Sequence, residues 1–218
     1  MGNETLEIEE STTQKMNIPS KNYLRIKRVL DIICSLLALI ILSPVFLILV
    51  IAIKLDSKGP VLFKQKRVGI HKTHFNILKF RTMRIDTPKD IPTHQLKNPD
   101  QYITKVGKFL RKTSLDELPQ IWNIFVGQMS IIGPRPALWN QYDLIEERDK
   151  YGANDVPVGL TGWAQINGRD ELPIKEKATL DGEYVKHLGP VMDIKCFFGT
   201  ILSVLECKGV KEGGTGDE

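Results

Sequence analysis

The sequence predicts a helix-rich α/β protein attached to a membrane by a broken apolar helix, and three observations carry that expectation. Residues 32–53, IICSLLALIILSPVFLILVIAI, hold no charged side chain and are almost wholly apolar. Ser43-Pro44 interrupts this run near its middle. Beyond it, short strand-like runs give way to segments with helical apolar spacing.

A chain of 218 residues accommodates one domain with appendages, and 42% hydrophobic with 26% charged residues excludes disordered and fibrous classes. Positive charge is concentrated around the apolar run. Residues 21–86 carry thirteen Lys/Arg against Asp31, Asp56 and Asp86, whereas the net charge of the whole chain is +4. Cations flanking apolar sequence point to anionic lipid headgroups and away from nucleic acid. Cys34, Cys196 and Cys207 form no CxxC pair and no metal-type spacing with His71, His74, His94 or His187, so buried, inert thiols are expected. Residues 1–20, with Glu4, Glu7, Glu9 and Glu10, and the last residues, KEGGTGDE, read as loose tails.

At ~1.5 Å per residue the apolar run is long enough to cross a ~30 Å hydrocarbon layer. Pro44 removes a helical N–H bond and forces a break, while Ser43 can bond back to a freed carbonyl. Both flanks are basic: Lys21, Arg25, Lys27 and Arg28 before the run, then Lys54, Lys58, Lys64, Lys66 and Arg67 after it. Two readings follow. A re-entrant helix–break–helix keeps both flanks on the cytoplasmic side, as the positive-inside tendency favours. A proline-kinked spanning helix is the alternative.

After the anchor, residues 60–63 and 75–80 read as strands, and residues 85–100, with Pro88, Pro92 and Pro99, as a polar loop. Residues 102–111 have helical character, and Ser114 with Glu117 forms a capping-box pattern opening another helix. Gly133-Pro134-Arg135-Pro136 is a turn, residues 137–151 look helical, and the Gly-rich stretch 159–169 reads as a loop. Val191, Ile194, Phe197, Phe198, Ile201, Leu202 and Leu205 give a final helix whose apolar face is assigned to the core by default, with the bilayer surface as the other option.

The chemistry centres on Ser114-Leu-Asp116-Glu117-Leu-Pro-Gln120. Helix capping alone accounts for the acid pair, but a helix N-terminus also keeps a carboxylate ionised and attracts phosphate. An ionised Asp116 can attack phosphorus, and Glu117 beside it can help hold Mg²⁺. Lys79, Arg81, Arg111 and Arg135 are the phosphate-type cations. Each alone reads as solvated surface. Thr161, Gln165, Asn167 and Arg169, in GLTGWAQINGR, form a weaker nucleotide-sugar candidate that matches neither the dinucleotide fingerprint nor the P-loop.

The sequence resembles the bacterial sugar transferases, specifically the small monotopic phosphoglycosyl transferases. The resemblance rests on Lys27-Arg28-Val-Leu-Asp31, Ser43-Pro44, Gly59-Pro-Val-Leu-Phe-Lys-Gln65-x-Arg67-x-Gly69 and Lys79-Phe-Arg-Thr-Met83, and continues through RKTSLDELPQ (111–120), GPRP (133–136) and GLTGWAQINGR (159–169). It implies transfer of a sugar 1-phosphate from a UDP-sugar to undecaprenyl phosphate, with UMP released, through a covalent phosphosugar on Asp116. It further implies a Mg²⁺ role for Glu117 with Asp116, and substrate-phosphate roles for Arg111 and Arg135. The expected architecture is a tail (1–20), a re-entrant membrane hairpin (21–56), a catalytic domain (57–207) on the cytoplasmic face of the bacterial inner membrane, and a tail (208–218). Downstream glycosyltransferases are the expected partners. No sugar-specificity code is readable, an N-acetylated amino sugar is mildly preferred, and oligomeric state is unreadable. The alternative function is a non-catalytic, membrane-tethered scaffold binding nucleotide or anionic lipid.

Overall fold

A computed structural model describes residues 20–88, 98–168 and 172–205. The terminal tails beyond these bounds, Cys207, His94 and Arg169 lie outside the described residues. Two long helices come first: α1 (Lys21–Ile41) and α2 (Ser43–Asp56), bent by 61° at Leu42. The break falls where Pro44 predicts it, and Ser43 Oγ donates to the Ile40 carbonyl at 2.8 Å. An antiparallel hairpin follows, β1 (Leu62–Val68) with β2 (His74–Phe80). Next are α3 (Lys105–Lys112), a 3₁₀ turn (Leu115–Glu117), α4 (Gln120–Phe125) and β3 (Ser130–Ile132). The remainder comprises α5 (Tyr142–Asp149), β4 (Gly159–Thr161), α6 (Trp163–Ile166), α7 (Ile174–Lys186) and α8 (Pro190–Leu205). Strands β3 and β4 pair in parallel, Ser130 opposite Gly159 and Ile132 opposite Thr161.

The hairpin is the middle layer. On one face Phe80 packs with Leu49 and Ile53 of α2 and Leu110 of α3. Alternation puts Ile77 on the other face, against Ile124 of α4, Met129 and Val158. Lys79 shares the Ile77 face and therefore points to the α4 side.

Helix α1 is polar inward and apolar outward. Lys27, Asp31 and Ser35, spaced by four, form one buried stripe. Ile26, Val29, Leu30, Ile33, Leu37 and Ile40 are exposed. Each polar group has a partner. Lys27 Nζ pairs with Asp193 of α8, which also accepts from Tyr23 at 2.6 Å and Tyr184 at 2.8 Å. Asp31 accepts from the Ile131 N–H of β3 at 3.0 Å. Arg28 donates to the Ile124 and Phe125 carbonyls at 2.6 and 2.7 Å and so caps the end of α4, where the Gly127 N–H also bonds the Ile124 carbonyl at 3.1 Å. Two cations of the basic flank thus hold the molecule together internally.

Several sequence expectations are corrected. Strand β1 starts later than residue 60 and extends to Val68. Only Tyr142–Asp149 of the 137–151 stretch is helical, because residues 137–138 run beside β1, bridged at Arg67–Leu138. The 159–169 stretch holds β4 and α6 instead of an open loop. The apolar face of α8 is not core: Met192 and Cys196 are buried, but Val191, Ile194, Phe197, Phe198, Ile201 and Leu202 are exposed. Cys34 is exposed on α1, contrary to a buried thiol.

Because the Lys27–Asp193 pair is nearly dry, removing one partner leaves a buried charge. Lys27→Met is expected to destabilise by about 3 kcal/mol. Thermal unfolding in detergent should show a fall in Tm of roughly 6–12 °C. The Lys27→Met/Asp193→Leu double variant should lose less than the sum of its single changes, and additive losses would contradict pairing.

Candidate active site

The acid pair sits between three pieces of chain that are remote in sequence. Lys79 on β2 donates to Glu117 Oε1 at 2.8 Å and lies 3.9 Å from Asp116 Oδ2. Arg135 reaches the same Glu117 carboxylate, Nη2 to Oε1 at 2.5 Å and Nη1 to Oε2 at 3.4 Å. Arg111, near the end of α3, acts on Asp116 through its charge. With both acids ionised, three cations face two anions, so the cluster attracts an anionic ligand.

The local backbone differs from the capping-box expectation. Ser114 is left-handed (φ 56°) with no side-chain cap bond, and its carbonyl receives the Glu117 N–H at 3.2 Å. Leu115–Glu117 is a single 3₁₀ turn, and α4 starts only after Pro119, which lacks an N–H. Glu117 turns toward Lys79 and Arg135 instead of back to Ser114, because two cations hold a carboxylate more strongly than one amide does. A left-handed non-glycine residue costs on the order of 1 kcal/mol, and this one adjoins the acid pair.

The helix-dipole account of Asp116 is corrected with it. Burial is the largest influence on the Asp116 carboxyl and raises it. Lys79 opposes the rise, Glu117 adds to it, and Arg111 and Arg135 oppose it. Burial also pushes Glu117 upward, but the charges and hydrogen bonds of Arg135 and Lys79 outweigh it and hold Glu117 well below the ordinary carboxylate range. Glu117 is the fixed anion and Asp116 the more basic partner. The Asp116 side chain is 13% exposed, so it is shielded but reachable.

Arg135 owes its position to a close backbone contact. A Cβ on Gly133 would lie 2.2 Å from the Pro157 carbonyl, and one on Gly159 would lie 2.1 Å from the Gly133 nitrogen. Only glycine allows the 133–136 turn to lie this close to β4.

Residues 22–207 match the family described as bacterial sugar transferase. The chain belongs to that family. Relatives include an "Undecaprenyl-phosphate glucose phosphotransferase" of Komagataeibacter xylinus, 40% identical over 80% of this chain and 35% of that protein. A "UDP-glucose:undecaprenyl-phosphate glucose-1-phosphate transferase" of Escherichia coli K12 is 42% identical over 81% of this chain and 39% of that protein. The "Exopolysaccharide production protein PSS" of Rhizobium leguminosarum is 38% identical over 83% of this chain and 95% of that protein. The chain therefore spans little more than a third of the first two relatives and nearly all of the third.

The remaining sequence candidates in this member of the family divide clearly. The structure brings Asp116, Glu117, Lys79, Arg111 and Arg135 together. Arg81 is placed elsewhere: it is buried and donates to the Lys58 and Ser57 carbonyls at 2.6 and 2.8 Å, bracing the chain after α2. Its side chain departs from the Lys79 face because it is two residues beyond, past the end of β2. Thr161 Oγ1 bonds Thr200 Oγ1 of α8 at 2.6 Å, Gln165 is buried, and Asn167 donates to the Trp163 carbonyl at 2.8 Å. Thr161 and Asn167 thus make side-chain bonds within the fold, whereas both polar side-chain atoms of Gln165 are buried without a hydrogen-bond partner. Sequence reasoning read Lys27 and Arg67 only as cations of the basic flanks and assigned no role to Asp31 or Gln65. Their one signal was membership of short polar motifs within apolar strands and helices.

The raised Asp116 carboxyl has a stability consequence. The folded state favours its protonated form, so ionisation, complete well above the unfolded value of about 4, costs folding energy. Asp116→Asn should therefore raise Tm at pH 7, with the gain shrinking as pH falls toward 4. No gain at pH 7, read by calorimetry, would contradict the burial account.

Proposed function

We propose that this chain transfers a sugar 1-phosphate from a UDP-sugar to a polyprenyl phosphate, undecaprenyl phosphate in a bacterium, in the first membrane step of a surface glycan. The observation that carries this reading is a shielded, basic Asp116 next to an anionic Glu117 clamped by Lys79 and Arg135, in a member of this family. Glucose is the donor favoured by the relatives' names, ahead of the N-acetylated amino sugar expected from sequence.

In the proposed first step an Asp116 carboxylate oxygen bonds the β-phosphorus and the bridging oxygen leaves with UMP. A phosphate oxygen of the polyprenyl acceptor then attacks the same phosphorus and releases the Asp116 carboxylate. Desolvation makes Asp116 a better nucleophile than a surface carboxylate. Arg135 and Arg111 orient and neutralise the diphosphate, while Glu117 keeps Lys79 and Arg135 in place. Magnesium fits this donor set as a companion of the diphosphate. Among the described residues no group of three or more His, Cys, Asp or Glu could hold a metal alone. Asp116 and Glu117 would hold Mg²⁺ jointly with substrate oxygens. When bound, it supplies further neutralisation of the diphosphate.

The same reading makes residues 21–56 a re-entrant anchor on the cytoplasmic face of the inner membrane. Helix α1 turns its polar stripe inward and its apolar face outward, the inverse of a water-facing helix. Among the described residues no single helix is long and apolar enough to cross a membrane, and the 61° bend turns the second arm away from the first. The exposed face of α8 and the basic flanks suit anionic lipid headgroups. Downstream glycosyltransferases would consume the lipid-linked product.

Purified protein with Mg²⁺, UDP-glucose and polyprenyl phosphate should release UMP. Asp116→Asn should lower the rate roughly 10³-fold or more, and Arg135→Met on the order of 10²-fold. Near-normal turnover of Asp116→Asn would refute the nucleophile. Lipid binding by the wild type without UMP release from any UDP-sugar would favour the scaffold reading. Cysteines introduced near residues 15 and 215 should label from the same side of intact cells, and opposite-side labelling would exclude the hairpin.

A further inference from the structure

Arg135 is flanked by two prolines, and neither can donate a backbone hydrogen bond. Carbonyl oxygens are therefore the only backbone hydrogen-bonding groups of Pro134 and Pro136. The Pro134 carbonyl accepts from the Gly159 N–H at 2.9 Å. The Pro136 carbonyl accepts from a side chain, Arg67 Nη1, at 3.0 Å. The second arm of that guanidinium, Nη2, donates to Gln65 Oε1 at 2.7 Å. Gln65 and Arg67 share the core-facing side of β1, and Gln65 is 9% exposed. The Val68 N–H bonds the Ala137 carbonyl at 2.9 Å, so β1 grips the turn just after Arg135 at two points. A planar fork serves two acceptors at once, which the point charge of lysine does not do in one fixed geometry.

We infer that Arg67, steadied by Gln65, is a positioning residue that aims Arg135 at the Asp116–Glu117 pair. The inference deepens the proposed transferase reading by adding a residue behind the phosphate site. It rests on that reading only for its effect on turnover. Arg67 acts through the Pro136 carbonyl and Arg135, and it touches no reacting atom.

The first test needs no substrate: NMR of the arginine Nε–Hε groups in the full-length protein, in detergent, following the Arg135 signal. If Arg67 aims Arg135, Arg67→Met loosens the Arg135–Glu117 pair and moves the Arg135 signal toward that of a solvated arginine. Arg67→Lys should recover part of the change. Turnover should fall about 10–10²-fold in Arg67→Met, mainly in kcat, since a misplacement near 1 Å has that effect. The Arg67→Met/Arg135→Met double variant should match Arg135→Met alone. An unmoved Arg135 signal, or losses of turnover that multiply in the double variant, would overturn the inference. Should Arg67→Met fail to fold, Gln65→Met takes away the Gln65 acceptor of Arg67 and should move the Arg135 signal the same way by less, and no movement would overturn the inference. A moved Arg135 signal in a protein that releases no UMP would uphold the positioning role and refute the transferase reading.

Discussion

Sharing of the Glu117 carboxylate between Lys79 and Arg135 is the constraint on which the rest of the arrangement depends. A carboxylate this shielded stays ionised only because two cations face it, and each cation comes from a different part of the chain. Lys79 requires the register of the β1–β2 hairpin. Arg135 requires the glycine contact with β4. The Asp-Glu turn itself requires a left-handed Ser114 and the stop that Pro119 imposes before α4. Once Glu117 is committed to its cations, Asp116 has weaker charge compensation and a higher proton affinity. Division of labour between two adjacent acids thus arises from their neighbours alone.

On the re-entrant reading proposed above, the second requirement is height above the membrane. Lys27, Arg28 and Asp31 join α1 to α8, α4 and β3 respectively. Helix α4 follows the acid pair directly, and β3 leads into the Gly-Pro-Arg-Pro turn. The stripe that fixes α1 therefore also fixes both elements that carry the site. If α1 and α2 enter one leaflet, the acid pair is held at a set distance from the headgroups, where an acceptor phosphate resides.

How far the sequence foretold this structure depends on how local each cause is. Pro44 breaks a helix wherever it stands, so the bend after Ile41 was readable, and the β2 strand followed from residues 75–80. Asp116, Glu117 and Arg135 stood out because an acid pair and a proline-bracketed arginine are unusual side by side with a long apolar segment. Pairings across long separations were not readable: Lys27 looked like one more cation of a basic flank, and its Asp193 partner lies 166 residues away. Arg81 was grouped with Lys79 by proximity in sequence, yet the strand ends between them. The capping box failed because it is a pattern of two residues, and the charges that capture Glu117 come from elsewhere. The glycines of 159–169 suggested a ligand cradle, whereas two backbones in contact account for Gly159 and its partner Gly133. The apolar face of α8 had the right period for a core helix, and period alone does not distinguish core from lipid-facing surface.

The central claim is that Asp116 itself takes the phosphosugar. The most direct measurement is mass spectrometry of the protein quenched after incubation with Mg²⁺ and UDP-glucose in the absence of polyprenyl phosphate. The account predicts a mass increase of one glucose phosphate less one water on the peptide containing Asp116, lost when polyprenyl phosphate is added. UMP release that strictly requires the acceptor, with no adduct on that peptide, would contradict it and point to direct transfer between two bound substrates.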